Sequence, residues 1–147
     1  MRISELFRYF IIISLLVACS TSQSEEAVAD HVATHLSRTI EAYQSAQSLW
    51  DRLLEGETVS CAETFDAPPP LVLTQEELQQ APQSIKVQQP LNDAIQDIQQ
   101  LLLMWELECQ NEQPFVALER VRIAQDYLQS ARVALEQAIQ AWYVWQP

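Results

Sequence analysis

The chain has 147 residues and a formal net charge of −12, with 8 Lys and Arg against 20 Asp and Glu. That length suits one domain with a modest core, and so acidic a surface is repelled by nucleic acid and by anionic headgroups. A single glycine, Gly56, argues against sheet-rich folds with tight turns, phosphate-cradling loops and a nucleophile elbow, whereas the abundance of Gln, Leu, Ala and Glu favours helix and an all-α class.

The amino terminus is built in three parts. Arg2 and Arg8 make it basic despite Glu5, Tyr9 to Val17 (YFIIISLLV) is apolar, and the small Ala18 follows. The apolar run is about nine residues, too short for a bilayer-spanning helix, which takes roughly 20. Cys19 closes the tetrapeptide Leu16-Val17-Ala18-Cys19 directly behind it. The segment resembles the lipobox signal of bacterial lipoproteins. In that class the cysteine thiol takes a diacylglyceryl group, the signal is removed, and the new amino terminus is usually acylated, often with palmitate. The resemblance implies residues 1–18 as signal peptide, Cys19 as lipidation site and first residue of the product, and a membrane held through lipid. Ser20 replaces the Asp that usually retains such proteins in an inner membrane. The implied address is the periplasmic face of the outer membrane in a two-membrane cell, or otherwise the outer face of the cell membrane. Without Arg2, Arg8 and Glu5 the product would carry six basic and nineteen acidic residues, so lipid rather than surface charge would hold it.

Residues 19–26 are expected to be the acylated cysteine and a polar tether (STSQSEE), and residues 27–147 a helical bundle. The first bundle helix is predicted from about Glu25 to Glu55, capped by Ser24 and stopped by Gly56. Its stripe is Val28, Val32, Leu36, Ile40, Tyr43, Ala46, Trp50 and Leu53, at spacings of three and four. Residues 57–90 break the pattern. Pro68–Pro70 should be extended, Thr74-Gln75-Glu76-Glu77 is a capping box opening a short fourth helix, and so long a connection must pack along the body or carry function. A second long helix is predicted from Pro90 to Gln110 with the stripe Leu91, Ile95, Ile98, Leu102, Trp105 and Cys109; Pro90 would occupy its first turn, where the missing N–H costs nothing. A third runs from about Phe115 to Trp145 behind Pro114, with Leu118, Val121, Gln125, Leu128, Ala131, Leu135, Ala138 and Trp142 inward, antiparallel to the second.

With Cys19 lipidated, Cys61 and Cys109 remain, and outside the cytoplasm two thiols commonly pair. A disulfide there would close a loop of about 50 residues, for which chain entropy gives about 4 kcal/mol as an upper figure. It would also fix directions. Bonded Cα atoms lie within about 7 Å, so the first and second long helices must end at the same pole and run parallel. The 57–90 segment must then return along the bundle, and Trp142-Tyr143-Val144-Trp145 must end beside the anchored start of the first helix. Trp142, Tyr143 and Trp145 would there either touch lipid headgroups or serve as ordinary core-capping and partly exposed residues.

His31 and His35, one helical turn apart, could face one metal, but the sequence offers no third ligand beyond Asp30, and two solvated histidines are the simpler reading. Met104 reads as core. No acid–base pair, positioned nucleophile or cofactor motif stands out. The chain is therefore expected to be non-catalytic and cofactor-free, a cell-envelope lipoprotein with an interaction, adaptor or structural role and an envelope protein as partner. The alternative is a small-ligand or metal binder between the helices.

Overall fold

The protein is described by a computed structural model that places residues 3–110 and 116–146, with side chains from Ser24 onward. It is a small all-α bundle of three long helices and a short fourth carried on a proline-rich crossover. Helix α1 spans Ile3–Leu54, α2 spans Gln75–Gln80, a 3-10 turn covers Pro82–Ser84, α3 spans Ile85–Gln110 and α4 spans Leu118–Trp145.

Helix α1 is longer than its amphipathic stripe predicts. It runs unbroken through the residues expected to form a polar tether and past the expected cap at Ser24. The reason is compositional: no proline or glycine precedes Gly56, so nothing interrupts the hydrogen-bond ladder. Gly56 does end it. Its φ of 83° lies in the left-handed region, and Gly56 N–H donates to the Leu53 carbonyl (3.1 Å) while Glu57 N–H donates to the Arg52 carbonyl (2.9 Å). These two bonds make a Schellman motif that satisfies the last carbonyls.

Beyond Gly56 the chain turns back as a strap. Val59 and Phe65 enter the core beside Trp50 and Trp105, whereas Leu71, Leu73 and Ala81 enter it beside Val32 and Leu91. The strap thus descends the whole bundle. From Pro68 to Leu71 the strap advances about 9 Å at about 3.1 Å per residue, close to the roughly 10 Å between Gln99 and Asn92 on α3. An extended segment has no ladder of its own, and α3 supplies the partners. Gln99 Nε2 donates to the Pro68 carbonyl (3.1 Å), Asn92 Nδ2 and Gln88 Nε2 both donate to the Leu71 carbonyl (2.9 Å each), and Asn92 Oδ1 accepts from Leu71 N–H (2.7 Å). Pro68–Pro70 is therefore a stiff spacer tied to the body.

Helix α3 starts five residues before the expected Pro90. The 3-10 turn feeds straight into it, Val87 is completely buried, and Pro90 lies inside the helix. Burial of Val87 outweighs one missing hydrogen bond, whose orphaned acceptor is the carbonyl of the exposed Lys86. Val87, Leu91, Ile95, Ile98 and Leu101 are sealed from solvent, so α3 is the central helix, though Leu103 and Leu107 at its end stay exposed. Helix α4 begins at Leu118 rather than Phe115; Pro114 and Phe115 lie outside the described residues. Its inward stripe is Val121, Ala124, Leu128, Ala131, Leu135 and Ala138, while Leu118 is exposed. Gln125 is half-buried and donates to Asp51 Oδ1 at 3.1 Å.

Helix directions follow the expected pattern. Val28 to Leu36 of α1 packs with Leu91 to Ile95 of α3 and with Leu135 to Trp145 of α4. Ala42 to Trp50 packs with Ile98 to Trp105 and with Val121 to Ala131. Helices α1 and α3 are parallel, and α4 is antiparallel to both.

Candidate functional site

One pole of the bundle is closed by covalent and ionic ties. Cys61, just beyond α1, and Cys109, in the last turn of α3, are joined as a disulfide with Cα atoms 5.6 Å apart. Trp105 Nε1 donates to the Glu63 carbonyl at 2.8 Å, which pins the strap beside the bond. Arg52 donates to Glu63 (2.6 Å) and Glu57 (2.9 Å), and this hydrogen bonding holds the exposed Glu63 carboxyl below its usual range. Arg120 Nε lies 3.0 Å from Glu108 Oε1, a charge contact without hydrogen-bond alignment. Under this lid Trp50 and Trp105 meet edge to face, with centroids 6.3 Å apart. Trp50 is fully buried, and its Nε1 has no acceptor among the described residues.

The two histidines serve the strap. His31 Nδ1 donates to Glu77 Oε1 at 3.0 Å, and His35 Nε2 donates to the Pro69 carbonyl at 3.0 Å; a carboxylate and a carbonyl can only accept, which fixes the proton on each of these nitrogens. The rings stand nearly perpendicular, 5.8 Å apart. Among the described residues no group of three or more His, Cys, Asp or Glu is arranged to hold a metal ion. Glu77 is a node rather than a simple cap. Its Oε2 accepts from Thr74 N–H (2.7 Å) and the Thr74 hydroxyl (2.8 Å), while Thr74 Oγ1 accepts from Glu77 N–H (3.2 Å). The Thr74 N–H chiefly, then His31 and the Thr74 hydroxyl, hold the Glu77 carboxyl down to about 2 from an ordinary 4.5.

The opposite pole is where α1, α3 and the end of α4 meet. Trp145 Nε1 donates to Glu25 Oε1 at 3.3 Å, so the aromatic tail does end beside Glu25, the expected start of the first bundle helix. Trp145 is only 8 % exposed and stacks edge to face on the half-buried Trp142 at 5.2 Å. These two rings belong to the core edge. The side chains that reach solvent are Tyr143, 69 % exposed, and Val144, 84 % exposed. Beside them an open groove of about 750 Å³ is lined by Glu25, Gln83, Lys86, Gln140, Val144 and Trp145. Lys86 is the one lysine of the chain and a residue that sequence reasoning passed over.

The Cys19 side chain lies outside the described residues. Among the described residues no helix is long and apolar enough to cross a membrane. Comparison with known proteins finds no matching family model, curated relative or solved structure for this chain.

Proposed function

We propose that the protein is a lipid-anchored lipoprotein of a bacterial cell envelope, acylated at Cys19, whose helical domain acts without catalysis as an interaction or structural module. The observation that carries this reading is the sequence Leu16-Val17-Ala18-Cys19 behind a basic start and a short apolar run. The pairing of Cys61 with Cys109 supports it, because such bonds persist in oxidising compartments outside the cytoplasm. One acyl chain gives only marginal attachment and two or three give a stable one, at about 0.8 kcal/mol per buried methylene. The acyl chains would set affinity for the membrane, and the folded body would set what meets a protein partner.

The open grooves between helices are lined largely by Gln and acidic side chains. An enclosed apolar cavity, which a small apolar ligand requires, is not what they offer, so an envelope protein is the favoured partner. Intact-mass measurement of the protein from its host tests the anchor: loss of residues 1–18 and gain of a diacylglyceryl group is expected, with precursor accumulating when lipoprotein signal peptidase is inhibited. An uncut, unmodified chain with reduced thiols would overturn the proposal. Crosslinking in the same cells should recover a protein partner through the bundle.

A further inference from the structure

Exposed apolar side chains occur at both poles, with Leu54, Leu103, Leu107, Leu118 and Ile123 at the disulfide end, but only the pole that bears Tyr143 and Val144 combines them with the single lysine and with the approach to Cys19. Val144 and Tyr143 are among the most exposed large hydrophobic side chains of the bundle, and Ile85, at the start of α3, is 46 % exposed. Next to Ile85 stands Lys86, which makes no ion pair among the described residues and shares its groove with Val144. The other basic residues of the bundle are arginines; Arg52, Arg120 and Arg132 are paired with glutamates, while Arg38 and Arg122, like Lys86, make no ion pair among the described residues. This pole is also the one from which the chain leads back to Cys19. Because α1 is helical there, the five residues from Cys19 to Ser24 rise only about 8 Å, where an extended tether of the same length would reach roughly 17 Å.

We propose that this pole rests on the phospholipid headgroup layer, with Tyr143, Val144 and Ile85 in the interface and the Lys86 ammonium paired with a lipid phosphate. The proposal rests on the lipoprotein reading and deepens it. A tyrosine with an apolar ring and a polar tip suits the headgroup region, and a lysine can lay its methylene stem on apolar surface while its charge reaches a phosphate. The acyl chains supply the binding, and the pole supplies orientation. It stands the bundle upright, so that the disulfide pole faces away from the membrane. Glu25 and Glu26 lie at the same end, which favours a zwitterionic headgroup that offers them an ammonium.

The lone lysine makes the test direct. The full chain, purified with its anchor, is reconstituted on vesicles of phosphatidylethanolamine and phosphatidylglycerol. Acetylation by a membrane-impermeant amine reagent is then followed at Lys86 by peptide mass spectrometry. A Lys86→Arg/Arg122→Lys double variant moves the reporter to the disulfide pole. Each rate is normalised to the same protein in nonionic detergent, which has no phosphate. Lys86 should react about fivefold more slowly on vesicles, the factor equivalent to about 1 kcal/mol for one lysine at an anionic surface such as phosphatidylglycerol provides. The relocated lysine should be unaffected. Tyr143→Ser/Val144→Ser, at two exposed positions, should restore the Lys86 rate with the helical circular dichroism unchanged. Equal protection of both reporters, or none at Lys86 in protein that floats with the vesicles, would overturn the contact and leave the anchor standing. Protein that neither floats nor carries a diacylglyceryl mass would overturn both.

Discussion

The two ends of this bundle are held by different means. At the disulfide pole, the end of α1, the start of the strap and the end of α3 are tied by a covalent bond, by the Arg52 bridges to Glu57 and Glu63, and by the Trp105 hydrogen bond. At the other pole the ties among the described residues are non-covalent and include Trp145 to Glu25, His31 to Glu77, and the reciprocal bonds of Thr74 and Glu77. Both poles leave apolar side chains in solvent, and the second also holds Lys86, which makes no ion pair among the described residues. The covalent tie lies where a long connection joins a parallel helix pair, and the other end is the one that leads to the proposed anchor.

The contrast is broken most strongly from inside the stapled half. Trp50→Ala should cost about 3–5 kcal/mol in urea unfolding, as truncation of a large buried aromatic does. Trp50→Phe should cost markedly less, because the lost indole N–H has no acceptor among the described residues. Next in size is the staple. Reduction, or a Cys61→Ser/Cys109→Ser pair, should lower stability by about 2–4 kcal/mol, read as a drop in the urea midpoint with and without reductant. An unchanged midpoint would mean that packing already orders the strap.

The smallest effect sharpens the opposite pole. Thr74→Ala should cost about 0.5–2 kcal/mol, the usual range for loss of a helix cap. It should also change the acid response. Glu77 titrates near 2 in the folded chain against an ordinary 4.5, so its contribution is complete above about pH 4.5 and is lost as pH falls toward 2. A urea midpoint measured from pH 6 to pH 2 should show a shallower acid decline in the variant than in the wild type.

The fold class, the Gly56 stop, the Thr74 capping box and the helix directions are legible in the sequence, because each rests on a local rule or on a covalent constraint between Cys61 and Cys109. The strap's partners were not. Gln88, Asn92 and Gln99 stand at spacings of four and seven beside the apolar stripe, a pattern that could have marked a polar rail on α3 but reads as glutamine bias until the extended chain is laid against it. The start of α3 was misjudged because a proline's preference for a first turn is a local rule, and tertiary burial of Val87 overrode it. Trp145 and Leu118 exchanged their expected roles at the two ends of α4, where the stripe drifts and few turns remain to average the error. Of the candidate site, Tyr143 was legible as an aromatic at the end of the bundle that the disulfide-fixed directions place beside the start of the first bundle helix; Lys86 was not, since a lone charge on a helix carries no signal until its neighbours are known.

The strap has a consequence for how the molecule comes apart. Its upper half seats Val59 and Phe65 in one apolar cluster, and its lower half seats Leu71 and Leu73 in the other. Three helices alone could fray turn by turn from either end. A single covalently tethered segment threaded through both clusters makes each half a condition for the other, so the domain should melt as one cooperative unit, with coincident urea transitions by fluorescence and circular dichroism, rather than by sequential opening.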